Sequence, residues 1–151
     1  SKTFGDRDFT AIKQFICAGV ETIFLSGDQQ VNSAVAKDRG IPFFYSRRKS
    51  GQLSKADCAK EILREYKVDK VNTIFVGDDL FDVEMRSFCQ FMACPSNSHY
   101  LMKENSDLIL NTSSGNGCVQ ELFEYMISKS MIEEPSNESV IKKDSTESVK
   151  Y

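Results

Sequence analysis

Residues 72–82 read NTIFVGDDLFD. A short, largely apolar run, Asn72 to Val76, is followed at once by Gly77, then by Asp78, Asp79 and Asp82. A run of this length bounded by a turn signal reads as a buried strand, and Leu80 to Phe88 then reads as a helix. Two adjacent carboxylates straight after a buried strand repel each other unless a cation or a lysine compensates them. Hard oxygen ligands at a strand end suit Mg²⁺, which takes one or two protein carboxylates together with water and substrate phosphate. The competing reading is an acid cluster at a helix N-terminus, satisfied by the helix dipole. On that competing reading Asp82 is merely a solvated acid of the first turn. A Ca²⁺ loop of the EF-hand kind does not fit, because its acid spacing and closing glutamate are absent.

The same strand–helix unit recurs on both sides. Upstream, Phe9 to Ala18 places Phe9, Ile12, Phe15 and Ile16 at helical spacing, with Gly19 as C-cap. Val20 to Leu25 reads as a strand, Gln29 to Arg39 as a helix stopped by Gly40, and Ile41 to Tyr45 as a strand. Arg47 to Gly51 is a basic loop, and Ser54 is the expected N-cap of a helix running to Tyr66. Downstream, Phe91 to Cys94 and Leu108 to Leu110 read as strands, separated by a brief helix ending near Glu104. A last helix is expected from about Gly117 to Ser128. Short strands alternating with helices predict an α/β fold with a doubly wound, mainly parallel sheet. From Met131 the pattern dissolves into EEPSNESVIKKDSTESVKY, so the chain divides into a domain over 1–130 and a disordered polar tail over 131–151.

Composition narrows the function classes. The 151 residues suit one domain, and 40% hydrophobic residues suffice for a core. A formal net charge of -3 supplies no basic field, so no nucleic-acid partner is expected. No apolar run approaches the ~18 residues that a bilayer crossing needs, so no membrane partner is expected either. Five scattered cysteines, no CxxC and a single histidine argue against both a disulfide framework and a zinc site. The composition predicts a reduced, cytoplasmic domain. His99 is expected on the surface or as a cap, and Phe43, Phe44, Phe75, Phe91 and Met92 in the core.

Two further candidates sit at expected strand ends or helix starts, where doubly wound sheets place ligands. Ser26, in LSGD, ends a strand; its hydroxyl and the N–H groups that follow, Gly27 included, suit a phosphate oxygen, although Ser-Gly-Asp is also an ordinary turn. Lys55 opens a helix, where a cation opposes the dipole, so either solvent or a specific anion must satisfy it.

A serine after one strand, a lysine at a helix start and GDDxxD after a later strand, in that order, resemble the haloacid dehalogenase superfamily of phosphohydrolases. The matching blocks are FGDRDFTAI (4–12), LSGD (25–28), LSKADCAKEI (53–62), IFVGDDLFD (74–82), PSNS (95–98) and SSGNGCVQEL (113–122). They are similar to the capless branch that contains 3-deoxy-D-manno-octulosonate 8-phosphate phosphatase and the C-terminal module of animal CMP-sialic acid synthetase. The last block is similar to that branch's GGxGAVREL.

The resemblance implies a Mg²⁺-dependent phosphomonoester hydrolase of small sugar phosphates working through an aspartyl-phosphate. It implies that Ser26 and Gly27 bind the phosphoryl group, that Lys55 neutralises it, and that Asp78 ligates the metal. Asp79 would ligate through water or orient Lys55. A homo-oligomer, a tetramer in this branch, is implied as well. The sequence departs from the pattern at Asp28 and Asn116, where the branch carries arginines, and the loss of two cations argues against its usual anionic sugar-acid substrate. The nucleophile belongs to a DxDG motif on a first, central strand, and Asp6 and Asp8 do not replace it. That strand is therefore expected to precede Ser1 or to come from another chain. The alternative expectation is a non-catalytic, phosphatase-like oligomerisation module attached to a CMP-sugar synthetase.

Overall fold

The computed structural model describes residues 5–27, 30–46 and 54–146. Asp28 and the basic loop 47–51 lie outside them. Five short strands follow the apolar runs. β1 (Phe24–Ser26) pairs in parallel with β2 (Phe43–Tyr45), Phe24 opposite Phe43. β3 (Ile74–Val76), β4 (Phe91–Cys94) and β5 (Leu108–Ile109) form a second parallel sheet in that order. All three strand pairs are parallel, as the strand–helix alternation predicts.

Around them stand α1 (Asp6–Cys17), α2 (Gln30–Asp38), α3 (Lys55–Glu65), a 3-10 helix (Leu80–Phe88), α4 (Tyr100–Asn105), α5 (Cys118–Ser128) and α6 (Asn137–Ser145). β1 and β2 start later than their apolar runs because the first residues of those runs close the preceding helices. After Gly19 and Gly40, at φ +83° and +66°, the Val20 and Ile41 N–H groups fold back to the carbonyls of Phe15 and Ala36. No described helix is long and apolar enough to cross a membrane.

β4 shows how the core is divided. Alternate side chains of a strand face opposite ways. Ala93 packs with Ala11, Phe15, Leu122 and Phe123 of α1 and α5, where Phe15 and Phe123 meet edge to face at 5.1 Å. Met92 and Cys94 pack on the other side with Ala59 of α3, Met85, Cys89 and Met102. Ile12, one residue beyond Ala11, packs with Phe24, Ala36 and Ile41, so α1 covers both sheets. Its start is fixed by Asp8, fully buried, whose carboxylate accepts from the N–H groups of Gly5 (3.1 Å) and Val119 (2.9 Å). This bond set explains why α1 begins three residues before the apolar period does.

The tail differs from expectation. Residues 137–145 form α6, capped by Ser136 and packed on α1. Lys13, buried on α1, donates to Asp144 at 2.5 Å, and the Cys17 thiol donates to the Ser139 carbonyl at 3.6 Å. α6 has no apolar stripe to announce it; contacts with a distant helix hold it in place.

Asp8→Ala leaves two backbone donors without their acceptor and is expected to cost about 2–3 kcal/mol in urea unfolding. A pH effect follows from Asp107. Burial works to raise its carboxyl, but the Met92 N–H and the Arg86 guanidinium outweigh this and hold it below the usual carboxylate value. A depressed carboxyl stabilises the fold above its unfolded-state pKa of about 3.9 and loses that contribution as pH falls through the folded value. The stability gap between wild type and Asp107→Asn is therefore expected to narrow as acid unfolding is followed downward from about pH 5.

Candidate active site

β1 and β3 flank one cavity of about 350 Å³, apolar along its walls, with each strand having a single sheet neighbour on its far side among the described residues. Ile12 and Ala59 line it from the two helical layers. Polar residues gather where strands end: Ser26 after β1, Gly77 and Asp78 after β3, and Ser114 and Gly115 on the loop before α5. The cavity runs the length of both strands, from Glu21 and Thr73 at their amino ends. Ser26, Asp78 and Ser114 stand at the carboxyl edge, where open parallel sheets bind ligands.

The segment after β3 is organised around Asp82. Its side chain is 1% exposed, against the expectation of a solvated acid. One oxygen accepts from the backbone N–H groups of Asp78 (3.0 Å) and Asp79 (3.1 Å), and the other accepts from the Lys55 ammonium. The carboxylate lies where a side chain on Gly77 would begin: a Cβ there would stand 2.6 Å from Asp82 Oδ2 and from the Phe75 ring. Glycine is thus required by close approach, and the three acids of the motif take three different roles. Asp82 is buried and fully engaged, Asp79 is exposed and accepts from the Leu80 N–H at 2.7 Å, and Asp78 lines the cavity.

Lys55 is held by Asp82, so of the two roles the resemblance leaves open for Asp79, orienting Lys55 falls to Asp82 instead. That partner accounts for a cation at a helix start. Its helix is placed independently, since Ser54 caps it through the Asp57 N–H (3.2 Å) and Glu84 accepts from the Ala56 N–H (3.2 Å).

Two loops complete the rim. The Asp78 carbonyl accepts from the His99 N–H (2.9 Å), and Asp78 Oδ2 accepts from the Ser114 hydroxyl (3.2 Å). Asn97 Oδ1 in turn accepts from the Ser114 N–H (3.1 Å). His99 caps α4 with Nδ1, as expected of a residue at a helix start. From the sequence, Asp82 is a member of the acid cluster, Asn97 offers N-cap chemistry with Ser96 and Ser98, and Ser114 is part of the SSGNG block, none of them a site residue by itself. The signals were present as the third acid of GDDxxD and as the PSNS and SSGNG blocks, but a loop contact 36 residues away in sequence has no periodic signature.

Among the described residues no group of three or more His, Cys, Asp or Glu forms a metal cage. With Asp82 engaged by Lys55 and two N–H groups, the cavity rim offers the carboxylate of Asp78 beside the hydroxyls of Ser26 and Ser114. That donor set suits a hard ion such as Mg²⁺, which needs few protein ligands and keeps sites for water and phosphate.

Residues 49–122, which carry Lys55, the three acids, Asn97 and Ser114, match the haloacid dehalogenase-like hydrolase family. Over these residues the chain is similar to the haloacid dehalogenase-like hydrolases. A curated relative, 3-deoxy-D-manno-octulosonate 8-phosphate phosphatase of Haemophilus influenzae, is 25% identical over 127 residues, covering 83% of this chain and 68% of the relative. The cobalt-bound structure of the H. influenzae phosphatase superposes with a TM-score of 0.75 at 25% identity, covering 85% of this chain and 73% of that one. The Moraxella catarrhalis enzyme, solved with magnesium, phosphate and KDO, gives a TM-score of 0.74 at 22% identity, covering 85% and 72%. The α/β fold with parallel sheets expected from the sequence is the fold of these structures.

Cys118 lines the same cavity, in surroundings that favour the neutral thiol. Burial first, then the charge of Asp8, pushes its thiol up to about 11. At pH 8 only about one molecule in a thousand carries the thiolate there. In native protein treated with iodoacetamide at pH 8, mass spectrometry is expected to find Cys17 labelled, being the more exposed, well before Cys118.

Proposed function

We propose that this chain forms the phosphate- and metal-binding part of a Mg²⁺-dependent phosphomonoester hydrolase acting on a small sugar phosphate. The observation that carries the reading is the convergence of Ser26, Asp78 and Ser114 on one cavity rim, with Lys55 one carboxylate away through Asp82. The named activity of the matched relatives supports it.

In this reading the Ser26 hydroxyl and the Gly27 N–H bind the phosphoryl oxygens, and Lys55 neutralises charge building on them. Asp78 holds the metal, which when bound offsets the negative charge of the transferring phosphoryl group. Asp79, exposed to solvent, would reach the ion through water. Hydrolysis by this route needs a carboxylate that attacks phosphorus, expels the sugar hydroxyl and is freed by water. Asp8 is unsuited, because both its oxygens accept backbone N–H groups. The cleft between β1 and β3 is where a strand bearing the nucleophile belongs in this reading.

Asn116, at the place of a family arginine, donates its side-chain amide to Ser113 Oγ (2.5 Å) and the Ser114 carbonyl (3.3 Å). It closes the loop on itself and contributes no cation, so a less acidic sugar phosphate than the relatives' named substrate fits best. A cytoplasmic homo-oligomer completes the proposal.

The test uses the natural polypeptide that carries these residues. Mg²⁺-dependent release of phosphate from a panel of sugar phosphates is expected, with Asp78→Asn and Lys55→Met each lowering kcat/KM by about 100-fold or more, roughly 2.7 kcal/mol. Absence of turnover with every phosphomonoester, together with no Mg²⁺ binding, would sink the enzymatic reading. It would favour the non-catalytic oligomerisation module instead, for which sedimentation would show assembly unchanged by Asp78→Asn.

A further inference from the structure

The Ser114 hydroxyl donates to Asp78 Oδ2 (3.2 Å) across the rim of the cavity. The serine itself is held from both sides. Its N–H donates to Asn97 Oδ1 (3.1 Å) on the loop after β4, and its carbonyl accepts from the Asn116 amide (3.3 Å) within its own loop.

The base of that loop is fixed as well. Glu121, on the first turn of α5, accepts from the N–H groups of Asn111 and Thr112 and from the Thr112 hydroxyl, each at 2.9 Å. Asp8 accepts from the Val119 N–H on the far side. With the backbone of Ser114 anchored at N–H and carbonyl, the remaining freedom is one side-chain torsion, and the Asp78 contact uses it. Asp78 is held on its backbone side too, its N–H donating to Asp82 and its carbonyl accepting from His99.

We infer that Ser114 is a positioning residue for Asp78: its hydroxyl, aimed by Asn97 and Asn116, fixes the carboxylate plane in the orientation presented to a cation at the rim. This rests on the reading of Asp78 as the metal ligand. A hydroxyl that donates to one carboxylate oxygen removes the rotation of a short side chain whose own terminal torsion is broad. Partners of this kind, one bond behind a ligand, typically set 10- to 100-fold of metal affinity. The bond also joins the loops after β3 and β4 and before α5 in one chain of hydrogen bonds.

The experiment compares wild type with Ser114→Ala, Ser114→Thr, Asn97→Ala and Asp78→Asn, all verified as folded by thermal unfolding. Mg²⁺ affinity is read by calorimetry, and the Asp78 side-chain carboxyl is observed by carbon NMR in metal-free protein. Ser114→Ala is expected to weaken Mg²⁺ binding about tenfold and to move the Asp78 carboxyl resonance without metal. Ser114→Thr, which keeps the hydroxyl, should restore both, and Asn97→Ala should move the same resonance by a smaller amount. Unchanged affinity and an unmoved resonance in Ser114→Ala would overturn the inference. If Asp78→Asn leaves Mg²⁺ binding intact, the metal-ligand reading fails, while the metal-free resonance still decides whether Ser114 holds the carboxylate.

Discussion

One buried carboxylate organises the candidate site. Asp82 sits against Gly77 where no side chain would fit, and joins Lys55 of α3 to the N–H groups of Asp78 and Asp79. A buried acid of this kind is tolerable only because a cation and two N–H donors meet it together. Lose the Lys55 ammonium and a buried charge is left with backbone N–H donors alone. The arrangement therefore does two things with one group: it locks the turn after β3, and it delivers a lysine to within one residue of Asp78.

The same economy governs the opposite layer. Asp8 is as buried as Asp82, and it too bridges segments far apart in sequence, the start of α1 and the first turn of α5. Because α1 packs on both sheets, this bond fixes how the loop before α5 approaches the end of β3. Ser114 reaches Asp78 only from that placement. The two acids thus hold the rim from opposite faces of the sheet, while the cavity between β1 and β3 stays apolar along its walls and polar at its end.

Much of this was legible in advance, and the failures have specific causes. Ser54 caps α3 as its sequence predicts, since a cap depends on residues within three or four positions. α4, by contrast, is capped by His99, expected on the surface or as a cap, and not by Ser96, Asn97 or Ser98, which offer N-cap chemistry in sequence. Strand positions were legible, but β1 and β2 begin later because Val20 and Ile41 close helices before the strands start. Asp82 was misjudged as solvated: a motif at a helix start looks the same whether its third acid faces water or a lysine from another element. The polar stretch from 131 onward misled for a related reason. α6 is held by Lys13 and Cys17 of a helix more than a hundred residues earlier, which local composition does not report.

Composition, periodicity and the order of short motifs determined the parallel α/β fold, the positions of its strands and caps, and the candidate status of Ser26, Lys55 and Asp78, because those signals are local along the chain. Only the tertiary structure decided which acid pairs with Lys55, that Asp79 faces solvent, and that Ser114 and Asn97 stand behind Asp78. These are choices between chemically equivalent partners, and they turn on distances and burial between segments that the chain brings together only when folded.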